Sequence, residues 1–464
     1  MDHVDRRSGV DAESGGLQGV LAVVCVAQFM VVLDVSVVNV ALPSIRDGLG
    51  FGATTLQWVV NAYVLTFAGL LLLGGRLADL FGRRRVFLSG LSVFTAASRA
   101  GGIATAAVPL VAARAVQGVG AAVLAPATLT ILTTSIGEGP RRTRALAVWT
   151  AVGLAGGTAG NLLGGVLTQF LSWRSTLLIN VPVGLLAAVA ALRLLPADED
   201  RRGMPQVDVA GAVLATAGLG VLAFGVTQAA ANGWTASATV WGIGGGLALL
   251  AGFVVVEARW AAVPLVPLRL LGVRSIGVGN VMMLLAGACL NPMWYFLTLA
   301  MQNILGYPPL QTGLAFLPHT VVAILVATLV TPWLMRRIDS RVVIAAGCVL
   351  AAAGFWWQSN LGPAEDYVTA ILGPAVVFSV GSGLHNTPVT TAVTSGVGPA
   401  EAGVASGLMN VAKQIGGGLG LAVLVSLAVP AGAATAYERA FMAMAAAMLV
   451  TGALAWLLPS RRDA

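Results

Sequence analysis

A chain of 464 residues in which 57% are hydrophobic and only 10% charged cannot cover a water-facing surface, so an ordinary soluble fold is excluded and a polytopic all-α membrane protein is expected. The formal charge of +7 would suit a nucleic-acid binder, but the basic residues gather in short connectors between apolar runs, which makes the charge a matter of membrane topology and calls for no nucleic acid. Three dispersed cysteines (Cys25, Cys289, Cys348) and three dispersed histidines give no disulfide framework, no metal set and no nucleophile with an adjacent base, so neither a bound metal nor enzyme chemistry is expected.

Residues 1–16 are polar and read as a cytoplasmic tail, and the apolar run behind them is too long for a cleavable signal core. Residues 17–42 then form a run long enough to cross a hydrocarbon core of about 30 Å, which needs roughly 20 helical residues. Thirteen more runs follow, near 54–75, 86–106, 108–134, 146–170, 175–195, 208–228, 238–258, 275–300, 311–335, 341–359, 367–393, 403–429 and 439–458. With the N-terminus inside, 20 of the 26 basic residues fall on cytoplasmic connectors, and an odd number of spans would scramble that pattern. Fourteen transmembrane helices with both termini cytoplasmic are therefore expected. Trp58, Trp173 and Trp234 near outer ends, with Trp149, Trp260 and Trp333 near inner ends, suit interfacial anchors.

The loop after the second span, 74–85, recurs in weakened form after the tenth, at 332–341. Such repeats mark transporters. They divide the chain into an N-terminal six-helix half (17–195), a cytoplasmic linker (196–207), an inserted two-helix hairpin (208–258), a cytoplasmic loop (259–274), a C-terminal six-helix half (275–458) and a tail (459–464).

Asp34, alone among 19 acidic residues, lies deep in a span, where a charge costs at least a few kcal/mol and marks a pathway more often than packing. Arg114 is its natural partner. Asp34 is 8 residues from the outer end of the first span and Arg114 is 6 from that of the fourth, depths that differ by about 3 Å at 1.5 Å per residue. Gln117, one turn further in, can hydrogen-bond either. The matching place in the ninth span holds the neutral Asn291, followed by Pro292, expected to break the helix, and by Trp294, Tyr295 and Phe296, whose rings suit a large apolar ligand. His319 and His385 are candidate proton relays in the same half, with core packing the alternative for each. Arg99 and Lys413, also within spans, receive no role.

Two further groups invite a conformational reading. Gly156, Gly160 and Gly164 recur every four residues and form a smooth face, for ordinary helix packing or for a sliding contact between the halves. Asp79 with Arg83, Arg84 and Arg85, on a connector that Gly75 and Gly82 let turn tightly, is either a solvated basic cluster or a latch held when the cytoplasmic side is closed.

The runs LDVSVVNVALP (33–43), GRLADLFGRRR (75–85), RAVQGVGAAVLAP (114–126), the Gly-rich fifth span (153–165) and AGVASGLMNVAKQIGGGLG (402–420) resemble, in order and over nearly the whole chain, the 14-helix drug:proton antiporter branch of the major facilitator superfamily. Asn161 stands where that branch usually has proline after Gly160. The resemblance implies a multidrug efflux transporter of the bacterial cell membrane, with small-molecule drugs, protons and lipid as partners and no cofactor beyond the proton gradient. The depths and residue chemistry above assign Asp34 and Arg114 to proton coupling and Asn291, Trp294, Tyr295, Gln117 and His319 to the substrate, and the resemblance agrees with Gly75, Asp79, Gly82, Arg83 and Arg84 as the latch. A single deep acid favours neutral or monocationic lipophilic substrates, and a monomer suffices. Proton-coupled transport of a polar metabolite is the alternative.

Overall fold

Apolar side chains that cannot face water and backbone groups that cannot go unpaired in lipid leave helices as the available solution for such runs. The computed structural model describes residues 2–459 apart from 138, 199–207, 262–263, 363–365, 396, 398 and 429–432; the side chains of residues 2–16, 79, 143, 230, 399–400, 402 and 433–434 also lie outside the description. Most of the linker and all but the first residue of the C-terminal tail thus lie outside it.

Thirteen described helices are long and apolar enough to cross a membrane. Numbered to leave room for one more, they are α1 (Leu17–Leu49), α2 (Trp58–Ala78), α4 (Ala107–Ser135), α5 (Pro140–Phe170), α6 (Trp173–Leu194), α7 (Val209–Ala229), α8 (Ser237–Arg259), α9 (Arg274–Asn303), α10 (Pro309–Met335), α11 (Ser340–Gln358), α12 (Val368–Ser395), α13 (Gly403–Ala428) and α14 (Thr435–Leu457). The remaining run is the 20-residue helix α3 (Arg83–Gly102), whose first turn holds Arg83, Arg84 and Arg85 and whose last holds Arg99; those charges keep its average hydropathy low, yet it packs along α4 as the others do. The helix that contains α1 begins at Asp2, so the polar leader continues the first span.

The packing repeats along the chain. α1 lies against α5 as α9 lies against α13, and α3 pairs with α4 as α11 pairs with α12. Glycines set the close approaches: a Cβ on Gly120 would meet the Phe94 backbone at 2.6 Å, and one on Gly354 the Phe378 backbone at 2.7 Å. α7 and α8 form a hairpin whose α7 bridges α2 and α13. Thr227 there receives a hydrogen bond from Gln57 at 3.4 Å, and Ser426 of α13 donates to the Val226 carbonyl at 2.8 Å.

α9 corrects one expectation. It runs unbroken through Pro292, because the ring removes a single ladder hydrogen bond and the bonds on either side hold. Irregular backbone occurs elsewhere: α6 is interrupted at Ile179, α10 widens into a π-helical stretch at Val326–Val330, and α12 starts with another at Val368–Leu372.

Candidate functional site

Asp34 is fully buried among α1, α3, α4 and α6 of the N-terminal half. Arg114 Nη1 donates to its Oδ2 at 2.6 Å, while Gln117 Nε2 at 2.7 Å and Asn180 Nδ2 at 2.8 Å both donate to Oδ1. The network is closed around these bonds. Arg114 also donates from Nη1 to Gln117 Oε1 at 2.7 Å and from Nε to the Val59 carbonyl at 3.0 Å, and its guanidinium lies 4.5 Å from the centre of the Tyr63 ring. Gln117 Nε2 donates to Ser98 Oγ at 2.7 Å, and that hydroxyl donates to the Phe94 carbonyl at 2.8 Å. Every carboxylate oxygen has a charged or amide donor, which is the condition under which a deep ion pair is tolerated.

Neighbouring glycines make that geometry possible. A Cβ on Gly156 would sit 2.9 Å from the Phe29 carbonyl, on Gly160 2.7 Å from that of Leu33, and on Gly164 2.7 Å from that of Val37. The three-glycine face is therefore the seat of α1, on both sides of Asp34. The two halves touch on the neighbouring face: Gly165 meets Pro309 and Leu310 of α10, and Gly313 of α10 meets the Asn161 carbonyl. Asn161 Oδ1 itself is buried without a partner.

In the C-terminal half, Asn291 donates to Gln414 Oε1 at 3.2 Å. Trp294, one turn on, packs its ring 4.7 Å from Phe316 and 4.9 Å from His319. His319 Nδ1 is 2.5 Å from Ser379 Oγ, and since that hydroxyl also lies 2.5 Å from the Ala375 carbonyl, to which it donates, the ring nitrogen is the donor of the pair. Asn291, Trp294 and His319 thus share one region. Tyr295, about 100° round the helix from Trp294 though only about 40° from Asn291, is buried and packs its ring against Phe296 at 5.4 Å. Gln117 belongs to the Asp34 network. His385 is buried with Nε2 unpartnered.

Contacts between the halves gather where α1 ends and α2 begins. Gln302 Nε2 donates to the Val40 carbonyl at 2.9 Å, the Leu310 amide donates to Gln169 Oε1 at 3.1 Å, and Gly418 of α13 packs against Leu65 of α2.

At the opposite end of the N-terminal half, the latch region holds a residue the sequence did not single out. Asp198 of the linker accepts the backbone N–H groups of Arg84 at 3.0 Å and Arg85 at 2.9 Å, capping α3, and lies so close to Gly82 (φ +95°) that a side chain there would collide with it. Arg84 Nη2 donates to the Leu192 carbonyl at 2.5 Å, and Arg83 Nε is buried without a partner. Gly75 has room, its would-be Cβ 3.7 Å from Pro126, and the tight α2–α4 crossing belongs to Gly74. The Asp79 side chain lies outside the description.

Three participants in the Asp34 network escaped the sequence reading: Ser98, Asn180 and Tyr63. The signal for the first two is depth. Asn180 is 7 residues from the start of α6 at Trp173 and Ser98 is 8 from the end of the third apolar run at 106, the level at which Asp34 and Arg114 sit.

Residues 24–421 match the Major Facilitator Superfamily. The chain is 54% identical over 461 residues to a cephamycin export protein of Amycolatopsis lactamdurans, covering 98% of this chain and 95% of the relative. It is 37% identical to a puromycin resistance protein of Streptomyces alboniger (98% and 96% covered) and 34% identical to a tetracenomycin C resistance and export protein of Streptomyces glaucescens (90% and 78%). Among solved structures, a peptide transporter in complex with sulfate superposes with a TM-score of 0.71 at 16% identity, over 95% of this chain and 93% of that one, which establishes the fold alone.

Proposed function

Because the chain belongs to the Major Facilitator Superfamily, a family of membrane transporters, we propose that it exports lipophilic antibiotic-like molecules across the bacterial cell membrane by proton-coupled alternating access. The relatives named for antibiotic export or resistance support efflux as the direction. In this reading α3 is the fourteenth span, both termini are cytoplasmic, the transporter works as a monomer, and the proton gradient is its only energy source. Substrates are neutral or monocationic, and Asn291, Trp294 and His319 contact them.

The observation that carries the proposal is the sealed Asp34 network. A carboxylate at this depth has two ways to settle its charge, a proton or Arg114, and the two compete. In the conformation described, Arg114, Gln117 and Asn180 hold the carboxylate and the halves touch at the ends of α1 and α9, the outer side under the basic-residue topology. In this reading the conformation is the inward-facing stage, with Arg114 in the place a proton would take at Asp34 and the site ready for drug from the cytoplasm. Rocking to the outward-facing stage releases the drug and lets a proton from outside replace Arg114 at Asp34; return to the inward-facing stage delivers that proton inside. Net movement of one charge through 100 mV supplies about 2.3 kcal/mol, enough for a gradient of about 50-fold.

The test is uphill transport of puromycin into inside-out vesicles from cells expressing the protein. Accumulation that collapses when nigericin and valinomycin dissipate the gradients supports the proposal; accumulation that survives them removes proton coupling.

A further inference from the structure

Lys413, the only lysine in the chain, is 10 residues from the start of α13 and 15 from its end, so its side chain leaves the backbone near the middle of the span. Among the described residues it has no carboxylate at ion-pair distance and no side-chain hydrogen bond, whereas Arg46, Arg114 and Arg269 are all paired. The six acids of the C-terminal half (Asp339, Glu365, Asp366, Glu401, Glu438 and Asp463) fall in connections, first turns of helices or the tail. α12, which packs on α13, contributes His385 as its one titratable side chain, and an imidazole brings no negative charge. Nor is the ammonium sealed in packing: the side chain is half-buried, and its unpartnered Nζ keeps access to open space.

The space it reaches follows from the contacts of α13. Gly416 and Gly420 meet Leu284 and Ala288 of α9, Gly407 and Gly418 meet Leu72 and Leu65 of α2, and Ser426 bonds the Val226 carbonyl of α7. At 100° per residue, Ser406, Asn410, Lys413 and Gly417 fall within an arc of about 60°, between the α9 and α2 contacts, whose centre is about 170° from Ser426. Lys413 therefore turns toward the path between the halves, with α9 of one half on one flank and α2 of the other half on the opposite flank. Gln414 Oε1 is taken by Asn291 at 3.2 Å, which leaves Gln414 Nε2 as a donor one residue from Lys413, beside the region of Asn291 and Trp294.

We propose that Lys413 sets the substrate class by pairing with a carboxylate of the exported molecule, with Gln414 Nε2 as the second donor. An ammonium at this depth that has no counter-ion in its own half calls for one from the path. A carboxylate accepts from a cation and a side-chain amide together, and the chain already uses such a set at Asp34, to which Arg114 and Gln117 both donate. A phosphate would bring a second negative charge that nothing near Lys413 balances. Among the neutral and monocationic molecules of the export proposal, Lys413 thus ranks those whose amine is offset by a carboxylate, the zwitterions, above the monocations. The direction of movement rests on that proposal; the pairing does not.

The test uses the full chain in lipid nanodiscs without any gradient. Because there is one lysine, reductive methylation with formaldehyde and a borane, read by mass spectrometry of the peptide that contains Lys413, reports on this side chain alone, and the folded parent should be modified there. Pefloxacin, a fluorescent zwitterion with a carboxylate and a tertiary amine, should protect Lys413, and its ethyl ester, a monocation without the carboxylate, should not. By fluorescence anisotropy the parent should bind pefloxacin about tenfold more tightly than the ester. Lys413→Met should remove that difference by weakening pefloxacin alone, and Lys413→Arg, which keeps the charge, should retain it. Methylation only after unfolding would place the side chain in packing and overturn the pairing. Protection by both probes or by neither, equal affinity of the parent for the two, a preference that survives Lys413→Met, or one lost in Lys413→Arg would overturn it as well. Because no transport is measured, these outcomes are separable from failure of proton-coupled export.

Discussion

Removing Arg114 alone should be far more damaging than removing it together with Asp34. In Arg114→Leu the carboxylate keeps Gln117 and Asn180 on Oδ1 but loses its 2.6 Å bond at Oδ2, and the Val59 carbonyl loses its side-chain donor, all in a fully buried place. Breaking a buried pair from one side costs about 3–5 kcal/mol, whereas exchanging both members for apolar residues of similar volume is often neutral or better. The double variant Asp34→Leu/Arg114→Leu should therefore recover at least about 2 kcal/mol of the single variant's loss, a coupling far beyond the roughly 0.3–0.5 kcal/mol expected of independent sites. The assay is a double-mutant cycle by chemical denaturation in mixed micelles, with the α2 face of Arg114 monitored through Tyr63, whose ring covers the guanidinium. Additive losses would refute the picture of a mutually neutralised pair and mean that each residue is stabilised separately.

Other outcomes follow from the same packing. Gly160→Ala places a methyl 2.7 Å from the Leu33 carbonyl and should destabilise by about 1–3 kcal/mol, while Gly157→Ala, with 3.8 Å to Ser36 and Val32, should be neutral or stabilising; equal melting temperatures would remove the α1 seat. Asp198→Ala removes the cap of α3 and should cost about 0.5–2 kcal/mol, seen as faster amide exchange at Arg84 and Arg85 than in the parent. Trp294→Ala should change which drugs are exported, the large aromatic ones suffering most, and leave drug-driven proton release intact for the rest; an equal loss for every drug would place Trp294 in folding instead.

The sequence reveals helix positions well because lipid enforces them: thirteen apolar runs correspond to helices of membrane length, and their ends differ where a helix projects past its apolar run, as α1 does to Leu49 and α5 from Pro140. The exception, α3, falls outside that set, since four arginines near its ends lower its hydropathy. The level of Asp34 and Arg114 follows from counting residues to a span end, and the same count applied to every polar residue would have recovered Ser98 and Asn180. Tyr63 would not emerge that way, since its contribution is a ring face that depends on how α2 is rotated. Nor do motifs disclose which surface a glycine face meets: Gly156, Gly160 and Gly164 fit a partner helix from either half, and only the tertiary packing selects α1. The cap by Asp198 joins the linker to backbone N–H groups 113 and 114 residues earlier, a pairing that no local pattern encodes.

Asp34→Asn in proteoliposomes loaded with a pH-sensitive dye tests the coupling most directly. The amide cannot take up a proton in place of Arg114, so the variant should insert, bind drug and carry it down a drug gradient, with no uphill export under an imposed pH gradient and no drug-induced proton flux. Uphill export at the parent's rate by Asp34→Asn would contradict the account and place the coupling proton elsewhere.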